Sequence, residues 1–402
     1  MILEPSLSLF FRPASAIGVP GSRHWLAIGM GLVLSHAASA AVLDCDLNGE
    51  PADPVSARGI DGKSGTLRCR ERGTGLLVRE QEVQKGKFAG QVRYFSAGKL
   101  SREHAVNERG NLQGRAREFT PTGQVLRDAA YEDGRQVGLA RTFYASGQLQ
   151  RVGFSGPKGE IASAEFNADG ALRRLQCADQ PVLAPAVDDA RLCGFSGKPS
   201  QVAFYSQTGV VRARGTYAGG RRIRYETLQD SGHVSQQEEL TATRRIERSF
   251  DTEGIRRREL VWSLADGKAV REREQEFAPT GVMVRERRWT HGELSGESTF
   301  FLNGQARSVA QYNIVGTARV LDTREFYDNG VVAAESRYVD TGRYAPIPTG
   351  TQRRFDTQGR LKSELVYDAR GRLSGERSYD EAGRLVREED FPDDGSRRAL
   401  AR

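Results

Sequence analysis

Residues 355–385 contain Phe355-Asp-Thr-Gln-Gly359-Arg-Leu361, Tyr367-Asp-Ala-Arg-Gly371-Arg-Leu373 and Tyr379-Asp-Glu-Ala-Gly383-Arg-Leu385. One phrase recurs: an aromatic, two or three small or polar residues, glycine, an apolar residue shortly after, then charges. Gly359, Gly371 and Gly383 fall twelve residues apart, and Gly395 in Phe391-Pro-Asp-Asp-Gly395 keeps the count. A fixed internal period marks a repeat architecture. Asp-x-x-Gly and Pro-Thr-Gly are turn chemistry, with Asp or Pro opening a type I turn and Gly taking the left-handed position that closes it. Between turns the residues alternate, as in Gly281-Val-Met-Val-Arg-Glu-Arg-Arg-Trp289, which is a strand period. About twelve residues hold one turn and a strand of about seven. The expected fold is all-β: an elongated antiparallel sheet of tandem β-hairpin repeats, with aromatics at strand ends stacking on their equivalents in neighbouring strands.

Working outward, earlier copies of the phrase group into two arrays. The first, residues 76–175, includes Phe95-Ser-Ala-Gly98, Phe119-Thr-Pro-Thr-Gly123, Tyr131-Glu-Asp-Gly134, Tyr144-Ala-Ser-Gly147 and Phe166-Asn-Ala-Asp-Gly170. The second, residues 201–395, includes Tyr205-Ser-Gln-Thr-Gly209, Phe277-Ala-Pro-Thr-Gly281, Trp289-Thr-His-Gly292, Phe301-Leu-Asn-Gly304 and Tyr327-Asp-Asn-Gly330, with a Pro-containing break at Tyr344-Ala-Pro-Ile-Pro-Thr-Gly350. Three segments lie outside the phrase: residues 41–75, expected to cap the array, residues 176–200, an insert, and residues 396–402, a disordered tail.

The N-terminus reads as an export signal. Arg23 and His24 precede the apolar stretch Trp25–Leu34, and Ala38-Ser39-Ala40 supplies small residues for cleavage before Ala41. The apolar run is short for a bilayer span, and Asp44 ahead of Cys45 argues against lipid attachment. Four cysteines follow the cleavage site: Cys45, Cys69, Cys177 and Cys193. An even number in an exported chain favours disulfides. Of the three pairings, the local one (Cys45–Cys69, Cys177–Cys193) fits best, since it staples the two segments that lack the phrase. No pair has the short C-x-x-C spacing of a zinc site.

The 402 residues carry a formal charge of +7, with 38% hydrophobic and 8% aromatic residues. That suits many thin apolar layers better than one thick core. Arginines interleave with glutamates, as in Arg271-Glu-Arg-Glu274 and Arg285-Glu-Arg-Arg288, which reads as a solvated sheet face with cross-strand ion pairs. A nucleic-acid stripe would lack the intervening acids.

Catalytic chemistry finds no foothold. His104, His233 and His291 are scattered, and none sits in H-E-x-x-H. There is no G-x-S-x-G elbow, P-loop or G-x-G-x-x-G. Carboxylate runs such as Glu388-Glu389-Asp390 point to opposite faces of a strand and do not converge. The expectation is a non-enzyme without metal or cofactor. Trp262 and Trp289 read as core residues of the sheet rather than as binding anchors. Tyr217-Ala-Gly-Gly-Arg-Arg-Ile-Arg-Tyr225 is the most concentrated Arg/Tyr patch. Arg and Tyr anchor protein interfaces, which makes Arg221, Arg222, Arg224 and Tyr225 candidate partner contacts. The insert is the other candidate, a rigid stapled loop rising from a regular sheet.

The phrase, with the fuller copy Tyr131-Glu-Asp-Gly-Arg-Gln-Val-Gly138-Leu-Ala-Arg-Thr-Phe-Tyr144-Ala-Ser-Gly147-Gln-Leu149, resembles the MORN-repeat variant of the bacterial proteins labelled YwqK-type antitoxins. The resemblance covers most of residues 88–395. The three C-terminal copies also look like the YD repeats of Rhs-type toxin shells, which need far longer arrays. The export signal and the cysteine-bearing insert depart from the simple family pattern. The resemblance implies a protein-binding role: a periplasmic immunity protein, monomeric until bound, that sterically neutralises a cognate toxin such as a type VI secretion lipase. It supplies no catalytic residue. The alternative is an envelope-associated protein whose basic array touches peptidoglycan, anionic lipid or a surface assembly. Expressed with its leader in a bacterial host, the chain should mature to an N-terminus at Ala41. Intact mass and N-terminal sequencing check this, and a mature chain that keeps Trp25–Leu34 would contradict it.

Overall fold

A computed structural model describes residues 42–53, 59–265, 267–342, 345–392, 394 and 396–399. The cleavage site at Ala40 and Ala41, Tyr344 and Gly395 lie outside the described residues. Most of the described chain is strand, joined by turns, with one helical turn, Asp189–Leu192. Its strands form two antiparallel sheets, one of twelve strands from Leu43 to Gln176 and one of eighteen from Ser200 to Ala399. Strand order follows chain order except at the N-terminal edge, where Glu50–Pro51 pairs outside Leu43–Leu47. The segment expected to cap the first array continues the same sheet, because Gly65–Glu71 pairs with both Leu43–Leu47 and Leu77–Gln84. Within the segment expected to be a disordered tail, Arg398 and Ala399 pair with Asp390 and Glu389.

The repeated phrase is a four-residue turn with a bulge. In Phe355–Leu361, Gly359 N–H donates to Asp356 C=O (2.9 Å) and Asp356 N–H to Arg360 C=O (2.9 Å). The Asp356 carboxylate accepts from the N–H groups of Gln358 (3.0 Å) and Arg360 (2.9 Å), and from Arg360 Nε (2.7 Å). Gly359 has φ +84°, a conformation costly for a residue with a Cβ. Asp368 and Asp380 repeat this clamp on Arg372 and Arg384. The Arg372 backbone N–H above all holds the Asp368 carboxyl below its ordinary range. Asn167, Thr120, Ser206 and Asp251 play the same part in earlier turns.

Across most such turns the aromatic lies opposite the apolar residue six positions on, although Phe250 faces Arg256. The pairs include Phe119–Val125, Phe166–Leu172, Phe277–Met283, Phe326–Val332, Phe355–Leu361, Tyr367–Leu373 and Tyr379–Leu385. The ladder slips by one residue just before the aromatic in every one of them. This corrects the expectation of aromatic stacking between equivalent positions: among the described residues ring contacts occur at Tyr94–His104 and Phe204–Tyr225. A second turn type, with both central residues at positive φ, closes Lys85-Gly86, Ala97-Gly98, Asp133-Gly134, Gly219-Gly220 and His291-Gly292. These are the two-residue turns whose twist matches that of the strands. The first sheet also carries Gly90, Gly114 and Gly138 at positive φ, twenty-four residues apart, each within an irregular stretch of the ladder.

With register fixed, charges fall opposite one another. Across the first sheet the partners run Asp46, Arg68, Glu80, Arg93, Glu103, Arg117, Asp128, Arg141, and the row then turns apolar at Val152, Ala164 and Leu175. Near the C-terminus of the second sheet a row reads Arg324, Glu335, Arg353, Glu364, Arg377, Glu388. Nor are the charges between these two rows simply a solvated face, as the alternating sequence suggested. Glu259, Glu274 and Glu286 are only 5%, 3% and 7% exposed. Long guanidinium side chains cover them and supply donors. Glu259 alone receives Arg248 (2.7 Å), Arg256 (2.9 Å) and Arg273 (2.9 Å). Burial raises its pKa, and the bonds from these arginines outweigh that and bring it below the ordinary value. Replacing Glu259 with alanine removes the shared acceptor of three arginines and should cost about 2 kcal/mol. The same change at the more exposed Glu388 should cost less than about 1 kcal/mol. Urea unfolding of both variants tests the difference, and equal costs would refute the buried-carboxylate account.

Candidate interaction site at the sheet junction

Among the described residues, no backbone ladder joins the last strand of the first sheet, Leu172–Gln176, to the first strand of the second, Ser200–Tyr205. The cysteine-bearing insert fills the gap. Its apolar side chains require a partner surface, and both sheets provide one. Leu183 (0% exposed) and Cys193 (1%) share a core with Val152, Ala162, Ala164, Leu172 and Leu175 of the first sheet. Val202, Phe204, Ala213 and Tyr217 of the second sheet complete it. Tyr217 is buried deeply enough that desolvation pushes its phenol up to about 12.

Local bonding makes the insert rigid. Cys177 and Cys193 form a disulfide, as do Cys45 and Cys69, so the local pairing holds. The buried Asp189 carboxylate accepts from the N–H groups of Val182 (2.6 Å) and Leu183 (2.9 Å). Asp188 caps the helical turn through Arg191 N–H (3.0 Å). Asn167, in the last turn of the first sheet, donates from Nδ2 to Ser206 C=O in the first turn of the second (3.3 Å). Two disulfides suit an oxidising, exported compartment.

The structure brings the two sequence candidates together. The Gly219-Gly220 turn lies against the insert: Gly219 N–H donates to Gly194 C=O (3.0 Å) and Gly220 N–H to Cys193 C=O (2.9 Å). A Cβ on Gly220 would overlap Ala178 C=O, and one on Gly194 would overlap Tyr217 C=O. The insert is therefore a plug between sheets with one exposed side, and not a loop rising free of them. Arg221 follows this contact directly and is exposed, as are Arg222 and Arg224. Arg222 stacks on the Tyr225 ring (4.5 Å) and binds Glu238 (3.0 Å), while Arg224 holds Glu226 (2.6 Å). Tyr225 packs against the plug core. Its role is thus partly structural, and the outward-facing groups are the arginines. Nothing in the linear order joins Gly194 to Gly219. The usable signal was that the insert carries Val182, Leu183, Val187, Leu192 and Phe195, more apolar surface than a solvated loop needs.

The histidines lie apart from one another. His104 lies in strand Lys99–Val106, His233 in a turn with Nδ1 at 3.1 Å from Thr252 C=O, and His291 in a two-residue turn. Burial, then the charges of Arg102 and Arg79, depress the pKa of His104. Among the described residues no three His, Cys, Asp or Glu side chains are grouped to hold a metal. Trp262 and Trp289 are half-buried and flank the Arg271 guanidinium at 5.2 and 5.0 Å.

No protein-family model matches the chain, and no curated protein matches it. Among solved structures, TcdB2-TccC3-TEV aligns at 12% identity over 87% of this chain and 20% of that one, with a TM-score of 0.18. TcdB2-TccC3 without its hypervariable C-terminal region aligns at 10% identity over 82% and 22%, with a TM-score of 0.19. This chain thus spans about a fifth of the length of those chains. Neither superposition reaches a TM-score that implies a shared fold.

Gly220 and Gly209 have nearly equal φ, +80° and +82°, but only Gly220 faces a contact that a Cβ would break. Gly209→Ala should therefore cost about 1 kcal/mol from backbone strain alone. Gly220→Ala should cost about 3 kcal/mol, because overpacking adds to that strain. Thermal melts of the two variants measure the gap, and its absence would show that the turn does not depend on the plug.

Proposed function

We propose that this chain is a periplasmic protein-binding repeat protein of the MORN-variant immunity type, which neutralises a cognate secreted toxin by covering its active site or substrate entrance. The observation that carries this reading is the junction. Two arrays of near-identical turns offer the same surface again and again, whereas the plug and the Gly219–Tyr225 segment make one irregular, rigid surface bearing exposed arginines. A pre-organised surface loses little entropy on binding. Arg and Tyr are the side chains that dominate interface energies. A repeated scaffold with one unique patch suits a protein that must distinguish one toxin from its relatives.

The resemblance of the turn phrase to antitoxin repeats points the same way, and the two disulfides fit the compartment in which such a toxin would be met. Export of a secreted effector encoded next to this gene should arrest growth, and co-expression of this chain should restore it; a neighbourhood with no such effector counts against the proposal. The purified pair should form a one-to-one complex that persists in moderate salt. No rescue together with no complex would refute the proposal.

A further inference from the structure

Residues 173–225 hold nine Lys and Arg and three Asp and Glu, a net of +6, against +7 for the entire chain. Four of the nine, Arg174, Arg212, Arg222 and Arg224, pair with Glu165, Asp230, Glu238 and Glu226 just outside this stretch, so the cations that matter are the other five. Over the rest of the sheets, arginines mostly meet carboxylates in the cross-strand rows. At the junction several do not. Arg173, Arg191, Lys198, Arg214 and Arg221 are exposed, and among the described residues none of them has a side-chain ion pair. One of the three acids of this stretch, Asp189, is buried and committed to the N–H groups of Val182 and Leu183. The backbone bonds from Gly219 and Gly220 to Gly194 and Cys193 bring the segments bearing Arg191 and Arg221 to one place. Lys198 lies in the same insert, just beyond Phe195, whose ring reaches Gly220.

Such a patch costs the free molecule self-repulsion, and the rows elsewhere show that this chain readily matches arginine with glutamate. Leaving cations unmatched on its most rigid surface makes sense where the matching acids come from outside. From this we infer that the junction is the docking surface for a protein partner, and that the partner presents a carboxylate-rich face to Arg191, Lys198 and Arg221. Arginine predominates over lysine here, eight to one in residues 173–225. Its planar fork binds carboxylates in a fixed, two-pronged geometry, which favours a shaped protein surface over the diffuse charge of a lipid bilayer. The arrangement would also steer the partner in and speed encounter at low salt.

This inference rests on the proposed protein-binding role, and the two can fail separately. The test compares the triple variant Arg191→Glu, Lys198→Glu, Arg221→Glu with a control triple, Lys99→Glu, Arg135→Glu, Lys362→Glu. The control residues are also exposed and carry no ion pair among the described residues. Both triples alter net charge equally, and unchanged melting curves establish that each folds. The probes are a labelled poly-glutamate peptide and vesicles of phosphatidylglycerol with phosphatidylcholine. The expected result is that the full chain binds the peptide, that the junction triple weakens this by at least about tenfold, and that the control triple changes it by less than about twofold. Absence of peptide binding, equal weakening by both triples, or vesicle binding of similar strength and similar sensitivity to the junction triple would overturn the assignment. Toxin neutralisation that survives the junction triple removes this surface but keeps the protective role. Peptide binding at the junction with no toxin neutralised removes the role but keeps the site.

Discussion

Across most of the four-residue turns an aromatic side chain is set opposite the apolar residue six positions later, and this small pairing, with the turn that carries it, sets the register of the strands it joins. Where an Asp, Asn, Ser or Thr follows, its side chain ties the turn to the backbone, glycine closes it, and the bulge absorbs the extra residue. Once register is set, Glu80 lies opposite Arg93 and Glu364 opposite Arg377. A slip of one residue would point every side chain of a strand to the other face. It would then set like charges against each other and leave carboxylates such as Glu259 buried without donors. In a structure with so little apolar core, turn geometry and charge pairing are the same constraint expressed twice.

The parts of this fold that could be read from residues alone are those written locally. Asp356-Thr-Gln-Gly359 encodes its turn within four residues, and the alternation after Gly281 encodes a strand. The disulfide pairing followed from which segments lacked the phrase. What could not be read depends on neighbours distant in sequence. Glu274 looks like any solvated glutamate until Arg258, Arg271 and Arg287 surround it. The Gly90, Gly114 and Gly138 series was present in the sequence at a twenty-four-residue interval. The C-terminal copies mask it with their spacing of twelve, a period that holds only where both ends of a hairpin use the same turn.

The junction was half legible. Its two components, the stapled insert and the Arg-rich turn, stood out separately because each breaks the phrase. That they meet is a property of how Gly194 and Gly220 admit close backbone approach, and glycine in a chain with 45 of them is a faint signal. The insert's packing also explains why the break in the phrase does not uncouple the arrays. Val152, Ala164 and Leu175 end the charged row of the first sheet in apolar residues, where the plug needs them.

Neighbouring turns are tied to one another along the sheet edge. Asn303 Nδ2 donates to Asp328 C=O, Asn329 Nδ2 to Thr357 C=O, and Tyr327 OH to Phe355 C=O. Each strand otherwise has its main contacts with the strands before and after it. Pulled from its two ends, such a molecule would not yield all at once. It would peel hairpin by hairpin, each step releasing a similar length of chain against a similar load. The Cys177–Cys193 link would withhold its own short loop from that extension. The chain is thus built to give ground in small increments rather than at a single threshold.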